Sequence, residues 1–222
     1  MDIKEIIAWL DKTLNVDAFN DVSNNGLQIE RDGEDVKCVA FGVDASVAFF
    51  ERAAEAGAEL CVVHHGISWG GGIKRLTGGV YNVVKTAMSC NLALYACHLP
   101  LDANKKVGNN WEMARCLGLK NVKPAFSYHG NVIGVIGKTA EGLTIGISSG
   151  GSGEFAEEAK SLGCDVFLTG EASWADMIAA QNVGMEMVCA GHYETETFGV
   201  AALSELMAKE LCVKTLFIDS RS

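Results

Sequence analysis

Short apolar runs separated by amphipathic stretches set the reading of this chain. The runs at residues 37–43, 60–64, 92–98, 131–138, 144–148, 165–169, 186–190 and 213–219 are brief and nearly continuous. Strands buried on both faces of a parallel sheet have that pattern. Between them, residues 45–56, 81–90, 109–117, 154–162, 173–182 and 198–210 carry apolar positions at helical spacing, and residues 1–14 predict one more amphipathic helix. Strands alternating with helices define an α/β protein. With 222 residues, 49% of them hydrophobic, the chain can bury one substantial core, so a single domain over residues 1–222 is expected.

The pattern is written twice. Shifted by 106 positions, Phe49 falls on Phe155, Gly57 on Gly163, Glu59 on Asp165 and His65 on Glu171. With slightly different spacing, LALYACHLPLD then matches MEMVCAGHYETE. Helix–Gly–strand units look alike for structural reasons, so duplication and coincidence both remain open. The reading that follows is two similar α/β lobes, approximately residues 1–125 and 126–222, with the carboxyl ends of their strands facing across a cleft, where open parallel sheets bind ligands.

The chemistry collects at the ends of the apolar runs. LCVVHHG ends on His64 and His65, while ACHLPLD and CAGHYETE each supply a histidine followed four residues later by a carboxylate, His98 with Asp102 and His192 with Glu196. Four of the five histidines fall in these segments. Any one of them alone is more simply read as a satisfied strand-end residue. As a set, they exceed what one ion uses and predict a two-metal site. Mixed imidazole and carboxylate donors suit Zn, Fe, Mn, Co or Ni, whereas Ca and Mg favour oxygen alone.

Two glycine-rich loops adjoin these residues. GISWGGGIKRLTGG follows the His pair, has no Walker spacing, and reads as a flexible lid or a plain surface loop, with Trp69 able to stack on a planar substrate and Lys74 and Arg75 able to meet an anion. SSGGSGE leaves a strand and opens a helix, so Ser149, Gly150, Gly151 and Ser152 are candidates for binding phosphate or carboxylate through backbone N–H groups. Steric need at a tight turn explains the same glycines. No nucleophile elbow is present.

A net charge of −10 opposes general nucleic-acid binding. The eight cysteines form no CxxC and read as small core residues of a reducing compartment. Cys97, beside His98, belongs to the core by strand alternation, and Cys189 is kept as a minor alternative ligand. The first residues lack a signal-peptide pattern and no apolar run approaches the ~20 residues that span a bilayer, so a soluble cytoplasmic protein is expected.

SNNGLQIE, VVHHGISW, ACHLPLD followed by GNN, and LTGEASW with AGHYETE together resemble the Nif-three-like dinuclear metal-centre family, whose members carry the label GTP cyclohydrolase 1 type 2. The resemblance spans the chain with its motifs in family order. It implies two α/β lobes, two divalent metals in the cleft between them, a homohexamer, and here the short form without an inserted domain. By motif matching, it implies the metal ligands His64, His65, Asp102, His192 and Glu196. His98 is then placed beside the metals, either supporting the ligands or transferring a proton, with Glu171 as the other candidate for moving a proton. The stretch before the glycine-leucine pair departs from the family pattern and reads DVSN, which puts any substrate contact there in question.

Two functions remain in view. The first is a dinuclear metal-dependent hydrolase of a nucleotide-like or other small anionic substrate, GTP cyclohydrolase-type ring opening included. The second is a non-enzymatic hexameric protein that binds, delivers or senses metal. In either, Asp102 and Glu196 are expected as exposed carboxylates at a cleft mouth, with little part in folding.

Overall fold

The computed structural model describes residues 1–221. In chain order the elements are α1 (Ile3–Leu14), β1 (Gly26–Ile29), β2 (Cys38–Asp44), α2 (Val47–Glu55), β3 (Leu60–His65), α3 (Gly78–Ser89), β4 (Ala93–Ala96), the short α4 (Leu99–Ala103) and α5 (Asn109–Cys116). There follow β5 (Lys120–Tyr128), β6 (Asn131–Lys138), β7 (Thr144–Ser148), α6 (Ala156–Ser161), β8 (Val166–Thr169), α7 (Trp174–Asn182), β9 (Glu186–Cys189), α8 (His192–Leu211) and β10 (Lys214–Phe217). The α/β class expected from the sequence is what forms, as two five-stranded sheets.

The chain divides into two compact units. One holds Met1–Leu101 together with the chain from Val200 onward, and the other holds Asp102–Gly199. In the first, the strand order is β1-β4-β3-β2-β10. The strands β4, β3, β2 and β10 run parallel, and β1 pairs antiparallel with β4. Helix α1 starts where Asp2 accepts from Lys4 N at 2.7 Å and stops at Asn15 in the left-handed region. Ile6, Leu10 and Leu14 recur every four residues on its buried face. Ser46 caps α2, whose Phe49, Phe50 and Ala53 pack into a core with Cys61, Val63, Leu94 and Ala96.

The second unit has the order β5-β6-β7-β8-β9, in which β5, β6 and β7 are antiparallel neighbours and β7, β8 and β9 are parallel. Its core joins Met113, Ala114, Leu119, Val135 and Ile147. Ser173 and Asp176 form a reciprocal capping box at the start of α7.

The repeat seen in the sequence has matching local structure. Gly57 and Gly163 end their helices at φ +75° and +76°, positive values that glycine accepts without the clash a side chain brings. Each is followed by a carboxylate clasping the neighbouring strand. Glu59 Oε2 accepts from Lys37 N and Cys38 N at 2.9 Å, and Asp165 Oδ2 accepts from Thr144 N at 2.7 Å. Two strands were not expected, β1 and β5. Both lie at sheet edges; β1 is only four residues long and β5 contains Pro124, which an edge tolerates and a strand pattern penalises. The cysteines also depart from expectation: Cys38, Cys61, Cys97 and Cys164 are buried, but Cys90, Cys116, Cys189 and Cys212 are exposed.

Candidate metal centre

In the first unit three imidazoles meet. His64 and His65 end β3, and His98 follows β4 and precedes α4. One ring nitrogen from each lies within 4.8 Å of the others, and the His64 ring centre is 4.7 Å from His65 and 5.1 Å from His98. Every Nδ1 has an acceptor beside it. That of His64 is 3.0 Å from Cys97 O, that of His65 is 2.8 Å from Asp44 Oδ1, and that of His98 is 2.9 Å from Asp21 Oδ1. A carbonyl can only accept, so His64 carries its proton on Nδ1 and offers a lone pair at Nε2. Carboxylates at Nδ1 favour the same arrangement for the other two rings. This is the manner in which metal-binding histidines are oriented, and the donor set fits a divalent transition ion. Burial pushes the Asp21 carboxyl up, but bonds from His98 and Asn25 and the His98 charge outweigh it and hold the group at about 2.

Trp69 is fixed beside this cluster. Its Nε1 donates to Gly66 O at 2.9 Å, and its ring stands edge-on to His98 with centres 5.2 Å apart. The loop's first residues are clasped from the other side: Gly70 N donates to Val22 O, Asn24 N to Ser68 O, and Ile67 N and Ser68 N to Gln28 Oε1. A Cβ at Gly66 would meet Gln28 Oε1 at 2.3 Å. Residues 66–70 of this loop, read from the sequence as a lid or a surface loop, are held to the DVSNNGLQ segment by these bonds. Lys74 and Arg75 lie exposed beyond the clasp.

In the second unit, His192 is the first residue of α8 and Glu196 sits one turn later. The sequence pattern pointed instead to a strand end for both. The helix puts them on one face, with His192 Nε2 3.1 Å from Glu196 Oε1, while Glu171 Oε1 reaches His192 Nδ1 at 3.0 Å. The bond to Glu196 raises the His192 imidazole to about 9, against the opposing effect of burial and with Glu171 adding to it. One imidazole between two carboxylates attracts positive charge, and with its proton removed His192 could join Glu196 as a donor to a divalent ion.

Asp102 and Glu196 are not exposed as expected; they are 5% and 3% exposed. Asp102 Oδ1 accepts from Asn109 Nδ2 at 2.8 Å and from Ser149 Oγ at 2.9 Å. The serine-glycine loop is likewise internally bonded. Ser149 N donates to Asn110 Oδ1, Gly150 N to Thr195 Oγ1, and Ser152 N to Thr169 Oγ1. Those three N–H groups already have acceptors, and the helix that follows, α6, has only six residues. The loop packs against the donor groups with these three N–H groups engaged inside it. Gly150, at φ +64°, passes so close to Glu196 that a Cβ would meet its Oε1 at 2.4 Å, and Gly151 lies against Glu171. Sequence reasoning missed Asp21, Asp44 and Thr195, which are single polar residues in no recognisable spacing, and it assigned no role to Asn109 although the GNN motif contains it.

The architecture and donor groups define an α/β protein with histidine and carboxylate clusters suited to divalent metal. The pattern defining Duf34/NIF3 (NGG1p interacting factor 3) matches residues 1–146 and 131–222, and the chain belongs to that family. A Pyrococcus horikoshii protein named GTP cyclohydrolase 1 type 2 homolog is 38% identical over 99% of this chain and 98% of its own length. One of the same name from Archaeoglobus fulgidus is 36% identical over 99% and 98%. The crystal structure of TTHA1606 from Thermus thermophilus superposes with a TM-score of 0.87 at 32% identity, covering 99% of this chain and 98% of that one. HcgD from Methanocaldococcus jannaschii, in its reduced form, shares the fold with a TM-score of 0.86 at 24% identity, over 98% of this chain and 97% of that one. Among the described residues, no helix is long and apolar enough to cross a membrane.

Proposed function

We propose that this chain is a divalent-metal-dependent hydrolase of a nucleotide-like or other small anionic substrate, with two ions held by His64, His65, Asp102, His192 and Glu196. The observation that carries the reading is the cluster of three imidazoles, each with an acceptor at Nδ1 and so a lone pair directed from Nε2. A bound divalent ion supplies Lewis acidity and lowers the pKa of coordinated water toward ~7. The chain's own groups do the rest. His98 and Glu171 take up and return protons, Trp69 offers a flat wall to a planar ring, and Lys74 and Arg75 neutralise an anionic group. The names of the relatives make hydrolytic opening of a purine ring one reaction compatible with this set.

Protein reconstituted with Zn, Mn, Fe, Co or Ni is expected to hold close to two ions per chain and to turn over at least one member of a panel of nucleotides, phosphodiesters and cyclic amides, with chelated protein inactive. Elemental analysis that never exceeds one ion per chain, with His192→Ala making no difference, defeats the two-metal reading. Full metal loading with no turnover across the panel leaves the non-enzymatic role in metal binding, delivery or regulation.

We further propose a cytoplasmic homohexamer. Trp174, Met177 and Ile178 on α7 and Val188 on β9, an edge strand, are exposed to 75%, 47%, 37% and 42%, an apolar surface of the kind that marks an interface. Light scattering is expected to give a mass well above the monomer at micromolar concentration, and Trp174→Glu to reduce it. A monomeric wild-type chain would rule the assembly out.

A further inference from the structure

Asp21 lies between α1 and β1, in the DVSNN segment, and its side chain is 1% exposed. Four groups meet its two oxygens. Ser23 N at 3.1 Å and His98 Nδ1 at 2.9 Å reach Oδ1, while Asn25 Nδ2 and Leu99 N, each at 2.9 Å, reach Oδ2. Asn25 completes the seat by accepting from His98 N at 2.8 Å. Two of these four groups are backbone N–H and a third is an amide NH₂, all of which only donate. A buried carboxyl surrounded by obligate donors is held as carboxylate, so the hydrogen it shares with His98 sits on the imidazole.

We propose that Asp21, seated by Asn25, is a positioning residue that fixes His98 in the tautomer protonated at Nδ1, making Nε2 the atom that accepts a proton or a metal ion. The same bonds through Leu99 N and Asn25 set the backbone on both sides of His98, so the ring's direction and its proton are decided together. A neutral amide cannot reproduce this. In Asp21→Asn the NH₂ replaces one oxygen. Turned toward Leu99 N and Asn25 Nδ2, it would oppose two donors; turned toward His98, it opposes only Ser23 N, because the imidazole adapts by moving its proton to Nε2. The second arrangement is favoured, and it removes the lone pair from Nε2, the wrong-tautomer defect known for histidines that lose their carboxylate.

The test is solid-state ¹⁵N NMR of the full-length, metal-free chain labelled at histidine, above neutral pH, with His98 assigned from the signals lost in His98→Gln. Wild type and Asp21→Glu are expected to show protonated Nδ1 and bare Nε2, and Asp21→Asn the reverse. Wild-type His98 with its proton on Nε2, or an unchanged pattern in Asp21→Asn, overturns the proposal. If Asp21→Asn does not fold, wild type and Asp21→Glu still decide it. This readout does not depend on the protein being a hydrolase. A second measurement rests on that reading: the switched tautomer should lower either metal affinity or kcat by ~10–100-fold, with KM unchanged and recovery in Asp21→Glu. A reversed tautomer that alters neither quantity would overturn the positioning role while leaving the tautomer assignment intact.

Discussion

The Asp102→Ala variant is expected to be less stable than wild type even with all metal chelated, and to bind metal more weakly once reconstituted. The first effect follows from burial. Asp102 Oδ1 is the acceptor for both Asn109 Nδ2 and Ser149 Oγ, and Asn109 Oδ1 in turn receives Gly199 N at 2.6 Å. Removing the carboxylate leaves two buried donors without their acceptor, at a cost of roughly 1–3 kcal/mol for each such group. The second effect follows if Asp102 is a ligand, since loss of one donor opens the coordination shell. Asp102→Asn separates the two. Its carbonyl oxygen can still accept from Asn109 and Ser149, so most of the stability should return while metal affinity does not. Urea unfolding of the chelated proteins, beside calorimetric metal titration, measures both. A chelated Asp102→Ala that unfolds at the wild-type urea concentration would refute the structural half, and wild-type metal affinity in both variants would remove Asp102 from the ligand set.

That prediction reverses what the sequence suggested for the same residue, and the reason is physical. Periodicity exposes what repeats, so the buried strands β2, β3, β4, β6, β7 and β8 were legible, as was the α/β class. The His-x₃-acid spacing was legible too, but its meaning was not. Four residues is one helical turn, and the structure uses it so for His192 and Glu196 on α8. A strand-end reading hid that relation and left both carboxylates looking exposed. The residues that orient the imidazoles were harder still. Asp21 and Asp44 lie 77 and 21 positions from the histidines they hold, and nothing local distinguishes them from other surface acids. Their roles exist only after the sheet has brought the loops together. The serine-glycine loop shows a related limit of local pattern: a strand-to-helix turn advertises free N–H groups, yet for Ser149, Gly150 and Ser152 the acceptors come from Asn110, Thr195 and Thr169 elsewhere in the chain.

The Gly150→Ala variant is expected to lose stability and, if Glu196 is a ligand as proposed, metal together with it, whereas Gly151→Ala should lose neither. Gly150 sits at φ +64°, and its missing Cβ would fall 2.4 Å from Glu196 Oε1 and 3.3 Å from His192 Nε2. A side chain in the left-handed region costs about 1–2 kcal/mol. The Glu196 carboxylate must also move, because carbon and oxygen cannot approach that closely. It cannot move far without breaking its 3.1 Å contact with His192. The backbone has little room to adapt, since Gly150 N donates to Thr195 Oγ1 while Gly150 O accepts from Glu171 N and Thr169 Oγ1. At Gly151 the added carbon would meet Glu171 Oε1 at 3.5 Å, an ordinary van der Waals contact. For a chain of this size each kcal/mol lowers Tm by roughly 2–4 °C, so the backbone effect alone should be visible by calorimetry. If the proposed two-metal reading holds, elemental analysis after reconstitution should show Gly150→Ala falling from about two ions per chain toward one, the difference reflecting a disrupted His192–Glu196 pair. Equal melting temperatures and equal metal content in the two variants would mean that the close approach of Gly150 to Glu196 has no part in holding the site.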